Sequence, residues 1–123
     1  MKTALFAIGL LALATHDYSS LAGTYVGTKD DYYTQIKLYD DSVFSYKAMR
    51  EFPFEVSDGN WLISGDTVIL NSVECADPEL LQHPPIRTYI KFRNAKYFIK
   101  GNSLIPVSAS GKLTRSEALQ KQD

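Results

Sequence analysis

Apolar and polar residues alternate with a period of two through most of the chain, and polar turn residues interrupt the alternation every eight to twelve positions. In Tyr32 to Tyr39, Ile36 and Leu38 fall on one face and Gln35 and Lys37 on the other. Val43 to Lys47 places Phe44 and Tyr46 together, with Ser45 opposite. Trp61 and Ile63, then Val68 and Leu70, flank Gly65-Asp66, a pair suited to a tight two-residue hairpin turn because glycine adopts positive φ without strain. Leu62 and Ile69 face the other way, which predicts a hairpin covered in part on both sides. A period of two is the signature of half-buried strands, and this turn spacing is that of a sandwich or barrel.

The remaining segments complete about eight strands. Gly23 to Thr28 reads as the first, ended by Lys29-Asp30-Asp31, and Asp40-Asp41 forms a later turn. Arg50 to Asp58 is irregular, since Pro53 confines a strand there to an edge. Ile86 to Phe92 alternates, Lys96 to Lys100 returns after Asn94-Ala95, and Ser103 to Ser108 follows the Gly101-Asn102 turn. Short connections favour antiparallel neighbours in an up-and-down meander, and closure into a barrel removes exposed edges. The expectation is therefore an all-β fold, a small antiparallel up-and-down barrel of about eight strands.

Two segments depart from this rhythm. Asp77-Pro78-Glu79 has the form of a helix start and Pro84-Pro85 forbids a long continuation, so a short helical lid is expected between the halves of the sheet. Thr114 and Glu117 have capping-box spacing, so the C-terminal segment is either a short helix or a frayed tail.

The first residues read differently. Met1-Lys2 precedes an apolar run from Thr3 to Ala14, with small-residue cleavage positions after Ala14 and after Ala22. The run is shorter than the roughly 20 residues of a membrane helix, so residues 1–22 fit a signal peptide and 23–123 a single barrel domain. The alternatives are a helix packed on the domain and an uncleaved anchor. Export to the periplasm or medium is expected, with no transmembrane segment in the mature chain.

Composition narrows the chemistry. Eight tyrosines favour strands over helices. Cys75 stands alone, so no internal disulfide forms, and its thiol is either buried or free to pair with another molecule. The net charge of −1 argues against a general nucleic-acid binder. The charges are nonetheless unevenly placed: residues 15–86 hold four basic and twelve acidic side chains, and residues 87–123 hold eight basic and two acidic.

Gly23-Thr24-Tyr25 resembles the opening of lipocalin-like barrels. The Phe44-Ser45-Tyr46 strand with Gly59-Asn60-Trp61 and Gly65 to Leu70 is similar to small barrels of bacterial envelope proteins, including the N-terminal domain of copper-resistance-type outer-membrane lipoproteins. The resemblance implies an exported barrel with a binding or envelope role. The copper-resistance family's Cys-x-x-Cys is missing, so no metal or redox role is carried over.

Candidate sites follow. His16 and His83 are the only histidines and no Gly-x-Ser-x-Gly elbow occurs, which argues against a hydrolase. Glu74, Cys75, Asp77, Glu79 and His83 match no established ligand spacing, so neither metal nor cofactor is expected. Asp30-Asp31 and Asp40-Asp41 are read as turn formers. Tyr25, Phe44, Tyr46, Trp61 and Phe92 either line a ligand cavity or fill the core. Arg87, Tyr89, Lys91 and Arg93, with Lys96 and Lys100, form either a basic patch for an anionic envelope component or a solvated face. The expected role is a non-enzymatic barrel that binds a small apolar ligand or a surface polymer. The other reading is a protein-interaction module, such as an inhibitor of a secreted enzyme, using loops 50–53 and 74–85.

Overall fold

A computed structural model describes residues 16–49, 54–73 and 87–122. Its strands are β1 (Gly23–Lys29), β2 (Tyr32–Leu38), β3 (Val43–Met49), β4 (Phe54–Ser64), β5 (Thr67–Ser72), β6 (Arg87–Tyr89), β7 (Ala95–Lys100), β8 (Ser103–Val107) and β9 (Leu119–Lys121). A single turn of helix, α1 (Tyr18–Leu21), precedes β1, and a 3-10 turn (Arg115–Glu117) precedes β9. The fold is all-β, a closed antiparallel barrel of eight strands plus one extra strand. The wall runs β1, β2, β3, β4, β5, β7, β8, β9 and back to β1. The extra strand, β6, pairs in parallel with the first residues of β4.

The turns are made by the residues that chemistry favours. Gly65 (φ 60°) and Gly101 (φ 58°) supply positive φ at the β4–β5 and β7–β8 corners. Asp41 accepts a hydrogen bond from the Val43 amide at 3.4 Å, so this acidic pair does form a turn. Asp30 adopts φ 56° at the β1–β2 corner, a conformation that aspartate tolerates better than most residues.

The interior follows the two-residue period. Register places Tyr25 opposite Ile36, Ile36 opposite Tyr46, Leu38 opposite Phe44, and Trp61 opposite Leu70. Ile36, Phe44, Val68 and Leu70 are fully buried, and Trp61 and Tyr25 nearly so. The hairpin flanking Gly65-Asp66 has its expected inner face, whereas Leu62 on its outer face is exposed and Ile69 half-buried.

Gly59 marks a close approach of β4 and β5. A Cβ there would overlap the Asn71 carbonyl oxygen and stand 2.7 Å from Ser72 Cα. Only glycine fits where the pairing edge of β4 passes from β6 to β5.

Three departures from the expected layout have physical causes. Phe54 to Asp58 belongs to an eleven-residue β4, because β3 supplies a hydrogen-bonding partner from Glu55 onward. Of the strand expected over Ile86 to Phe92, Ile86 lies outside the described residues and Arg87–Tyr89 forms the extra strand β6; the eighth stave is instead β9, in a segment expected to be a short helix or frayed. The capping box is not made, since Thr114 contributes no side-chain bond and the helix reduces to a 3-10 turn. Leu119, a buried core residue, pulls the chain back into the sheet two residues later. The expected lid at 74–85 and Cys75 lie outside the described residues.

The two ends of the barrel differ. At one, α1 lies across the opening: Leu21 is buried, and the Tyr18 ring packs on Trp61 at 4.6 Å. Tyr25 donates its buried hydroxyl to the Leu21 carbonyl at 2.7 Å, and Trp61 Nε1 donates to the Tyr39 carbonyl at 2.9 Å. Asp17 caps α1 by accepting from the Ser20 amide at 2.7 Å, and that bond holds its carboxyl below the usual range. The folded unit therefore begins before Gly23. No described helix is long and apolar enough to cross a membrane.

Candidate functional site

The other end of the barrel is open and holds a cavity of about 390 Å³. Alternation along β1, β2 and β3 aims Gly27, Thr34 and Tyr46 into it, with Tyr32 at the start of β2. Tyr97 and Pro106 face it as a cross-strand pair of β7 and β8. Glu117, Ala118 and Leu119 complete the wall from the 3-10 turn into β9. Gly27 is required here because a Cβ would stand 2.6 Å from Leu119 Cδ2 and 2.9 Å from the Ala118 carbonyl oxygen.

Polar groups converge on this mouth. Tyr32 donates to Glu55 Oε1 at 2.7 Å, and Tyr46 donates to the same oxygen at 3.4 Å. Glu55 reaches them because its register with Ala48 puts it on the inner face of β4. Burial, reinforced by Tyr32 and Glu55 nearby, pushes the Tyr46 hydroxyl far above the ordinary phenol range, so it stays a protonated donor. Burial, with the Glu117 carboxylate adding to it, pushes Tyr97 up to about 12. Tyr97 is only 9% exposed, yet its hydroxyl bonds to no described residue. At the rim Lys29 lies 3.9 Å from Glu117 and donates to Ser116 Oγ at 3.4 Å.

Of the five aromatics read as cavity lining or core, Tyr25, Phe44 and Trp61 belong to the packed core. Phe92 packs against that core, 6.0 Å from Phe44 and edge-on to Tyr46 at 4.9 Å. Tyr46 lines the cavity. Sequence reasoning missed Tyr32, Glu55, Tyr97 and Glu117. For Tyr32 and Tyr97 the signal was available, because each shares strand parity with the core residues of its own strand.

The basic row is divided between strand and loop. Lys96 and Lys100 share the outer face of β7, four residues and therefore roughly 13 Å apart. Lys91 and Arg93 are exposed beyond the end of β6, outside any strand. Tyr89 turns its hydroxyl onto the Asp58 carboxylate at 3.1 Å and the Val73 carbonyl at 2.7 Å. The Arg87 side chain lies outside the described residues. His16 sits at the closed end, 2.9 Å from Asp66 and remote from any nucleophile of the mouth. His83 and the acidic segment around Cys75 lie outside the described residues. No cluster of metal-ligating side chains occurs among the described residues.

Compared with known proteins, the chain matches no family model, no curated sequence and no solved structure.

Proposed function

We propose that this is an exported, non-enzymatic binding barrel that takes a small molecule into the open mouth between β1, β2, β3, β7 and β9. The cavity carries this reading: it has the volume of a small-molecule site and stands at one end of a barrel plugged at the other. The apolar run from Thr3 to Ala14 supports export. The lining refines the ligand expected from sequence. Three phenols, Thr34 and Glu117 suit a ligand with both an apolar body and a polar group, rather than a wholly apolar one. The solid interior below the mouth favours a small ligand over a polymer threaded through the barrel. The loops that a protein-interaction module would use, 50–53 and 74–85, lie outside the described residues.

Native mass spectrometry of the protein purified from its own cells tests the reading, with Thr34→Phe as the blocked control. Thr34 points into the mouth opposite Gly27, so a phenyl ring there occupies ligand space. The expected result is a retained small mass that Thr34→Phe loses while keeping a folded spectrum. The reading is refuted if the wild-type chain carries no adduct and a mixed small-molecule panel gives no saturable binding.

A further inference from the structure

The mouth also indicates what sort of polar group its ligand carries. We propose that the cavity selects organic ammonium cations, held over the rings of Tyr32, Tyr46 and Tyr97 and charge-matched by Glu55 and Glu117. This rests on the cavity being a ligand site and adds the ligand's chemical class.

Glu55 Oε1 is engaged by the two tyrosine hydroxyls, and no cation pairs with Glu55 among the described residues. The one lysine of the lining, Lys29, is held at the rim by Glu117 and Ser116. Asp30 and Glu117 are the carboxylates of the lining, and Glu55 stands behind it, bonded to the lining residues Tyr32 and Tyr46. An anionic ligand would therefore meet two lining carboxylates, a third bonded behind Tyr32 and Tyr46, and a single, already engaged ammonium.

A wholly apolar ligand fares little better. It would strip water from the Tyr97 hydroxyl without replacing that partner, and an unpaired desolvated polar group is costly. A cation with a short apolar body meets both demands. Its charge sits against the negative faces of the phenol rings and within reach of a carboxylate, while its alkyl groups fill the space. A substituted ammonium with an N–H or a terminal hydroxyl also gives the Tyr97 oxygen a partner.

The test uses the isotope-labelled full chain and two probes of matched shape: choline, and its neutral carbon isostere 3,3-dimethylbutan-1-ol. Amide shifts are followed at residues 27–34, 46, 97 and 117–119. Both probes are expected to move these amides, with choline half-saturating at roughly tenfold lower concentration. In Glu55→Gln that ratio should fall towards one. Equal affinities for the two probes would overturn the cation class and leave the mouth standing as a ligand site. No shift at these amides with either probe also overturns the class, and the adduct experiment with Thr34→Phe then decides separately whether the mouth binds anything. A tenfold preference that persists in a folded Glu55→Gln variant would overturn the role given to Glu55. The comparison of probes on the wild-type chain stands whether or not that variant folds.

Discussion

Trp61→Ala should remove a large share of this domain's stability. The indole is 2% exposed, packs under Tyr18 at 4.6 Å, and donates to the Tyr39 carbonyl at 2.9 Å. A buried indole takes roughly 200 Å² out of water, which at about 25 cal/mol per Å² sets an upper bound near ~5 kcal/mol. Truncations of this kind in well-packed cores cost about 3–5 kcal/mol, and the lost N–H bond adds about 1 kcal/mol. A net loss of about 4 kcal/mol is expected, from a total of roughly 5–15 kcal/mol for a domain of this size. Urea unfolding followed by far-ultraviolet circular dichroism would show a lower midpoint at an unchanged slope. Trp61→Phe, which keeps most of the apolar contact, should lose about 1–2 kcal/mol. A double-mutant cycle with Tyr18→Ala should return a coupling of about 0.5–1.5 kcal/mol for the ring pair. A loss below about 1 kcal/mol in Trp61→Ala, or zero coupling, would refute the assignment of this pair as the plug of the closed end.

Other outcomes follow from the same geometry. Gly59→Ala should cost about 3 kcal/mol or more, because β4 and β5 must separate around the new methyl group; a midpoint within error of wild type would contradict the close approach. A chain beginning at Gly23 loses Leu21 burial, the Tyr18 ring contact and the acceptor of the Tyr25 hydroxyl, and should be roughly 3–5 kcal/mol less stable than one beginning at Thr15. Of the two cleavage positions read in the sequence, only the one after Ala14 retains α1, and equal stability of the two chains would remove that distinction. Tyr97 is held protonated in the folded state up to about 12, whereas an unfolded tyrosine ionises near 10. The folded chain thus binds more protons than the unfolded one between these values, so the stabilisation is complete below about 10 and is lost as pH rises towards 12. The urea midpoint should fall across that window, and Tyr97→Phe should flatten the fall; an identical slope in the variant would count against a buried phenol at this position.

Most of the wall was legible because side-chain alternation is a local property. Ile36 and Leu38, Phe44 and Tyr46, and Val68 and Leu70 declare their shared face within a few residues, and glycine declares the corners. The ends of the chain's regular structure were harder. β9 is three residues long, and nothing in Leu119-Gln120-Lys121 marks a strand until β1 and β8 offer their free edges on either side. The site was legible only in part for a related reason. Tyr25, Phe44, Tyr46 and Trp61 all share inward parity, but whether an inward tyrosine meets packed atoms or open space depends on its depth. Trp61 and Tyr25 lie near the plugged end, where α1 covers them, whereas Tyr46 and Tyr97 lie higher. That depth is set by the stagger between strands, which no single strand encodes. Glu55 was hidden by Pro53, which made its segment look irregular although β3 pairs with it from Glu55 onward.

The closure of the wall by β9 governs when the protein can become itself. Tyr25 of the first strand must find Lys121, and Val26 must find Gln120, across almost the whole described chain. Contacts at such sequence separation are entropically late, so folding should be slow for the domain's size and its rate-limiting barrier should include this ring closure. Until β9 arrives, β1 and β8 are bare edges with apolar inner faces, the form of intermediate most prone to pair with another copy. A nascent barrel still lacking Leu119 is therefore a sticky open sheet, and its safe passage depends on how quickly that one short strand is delivered.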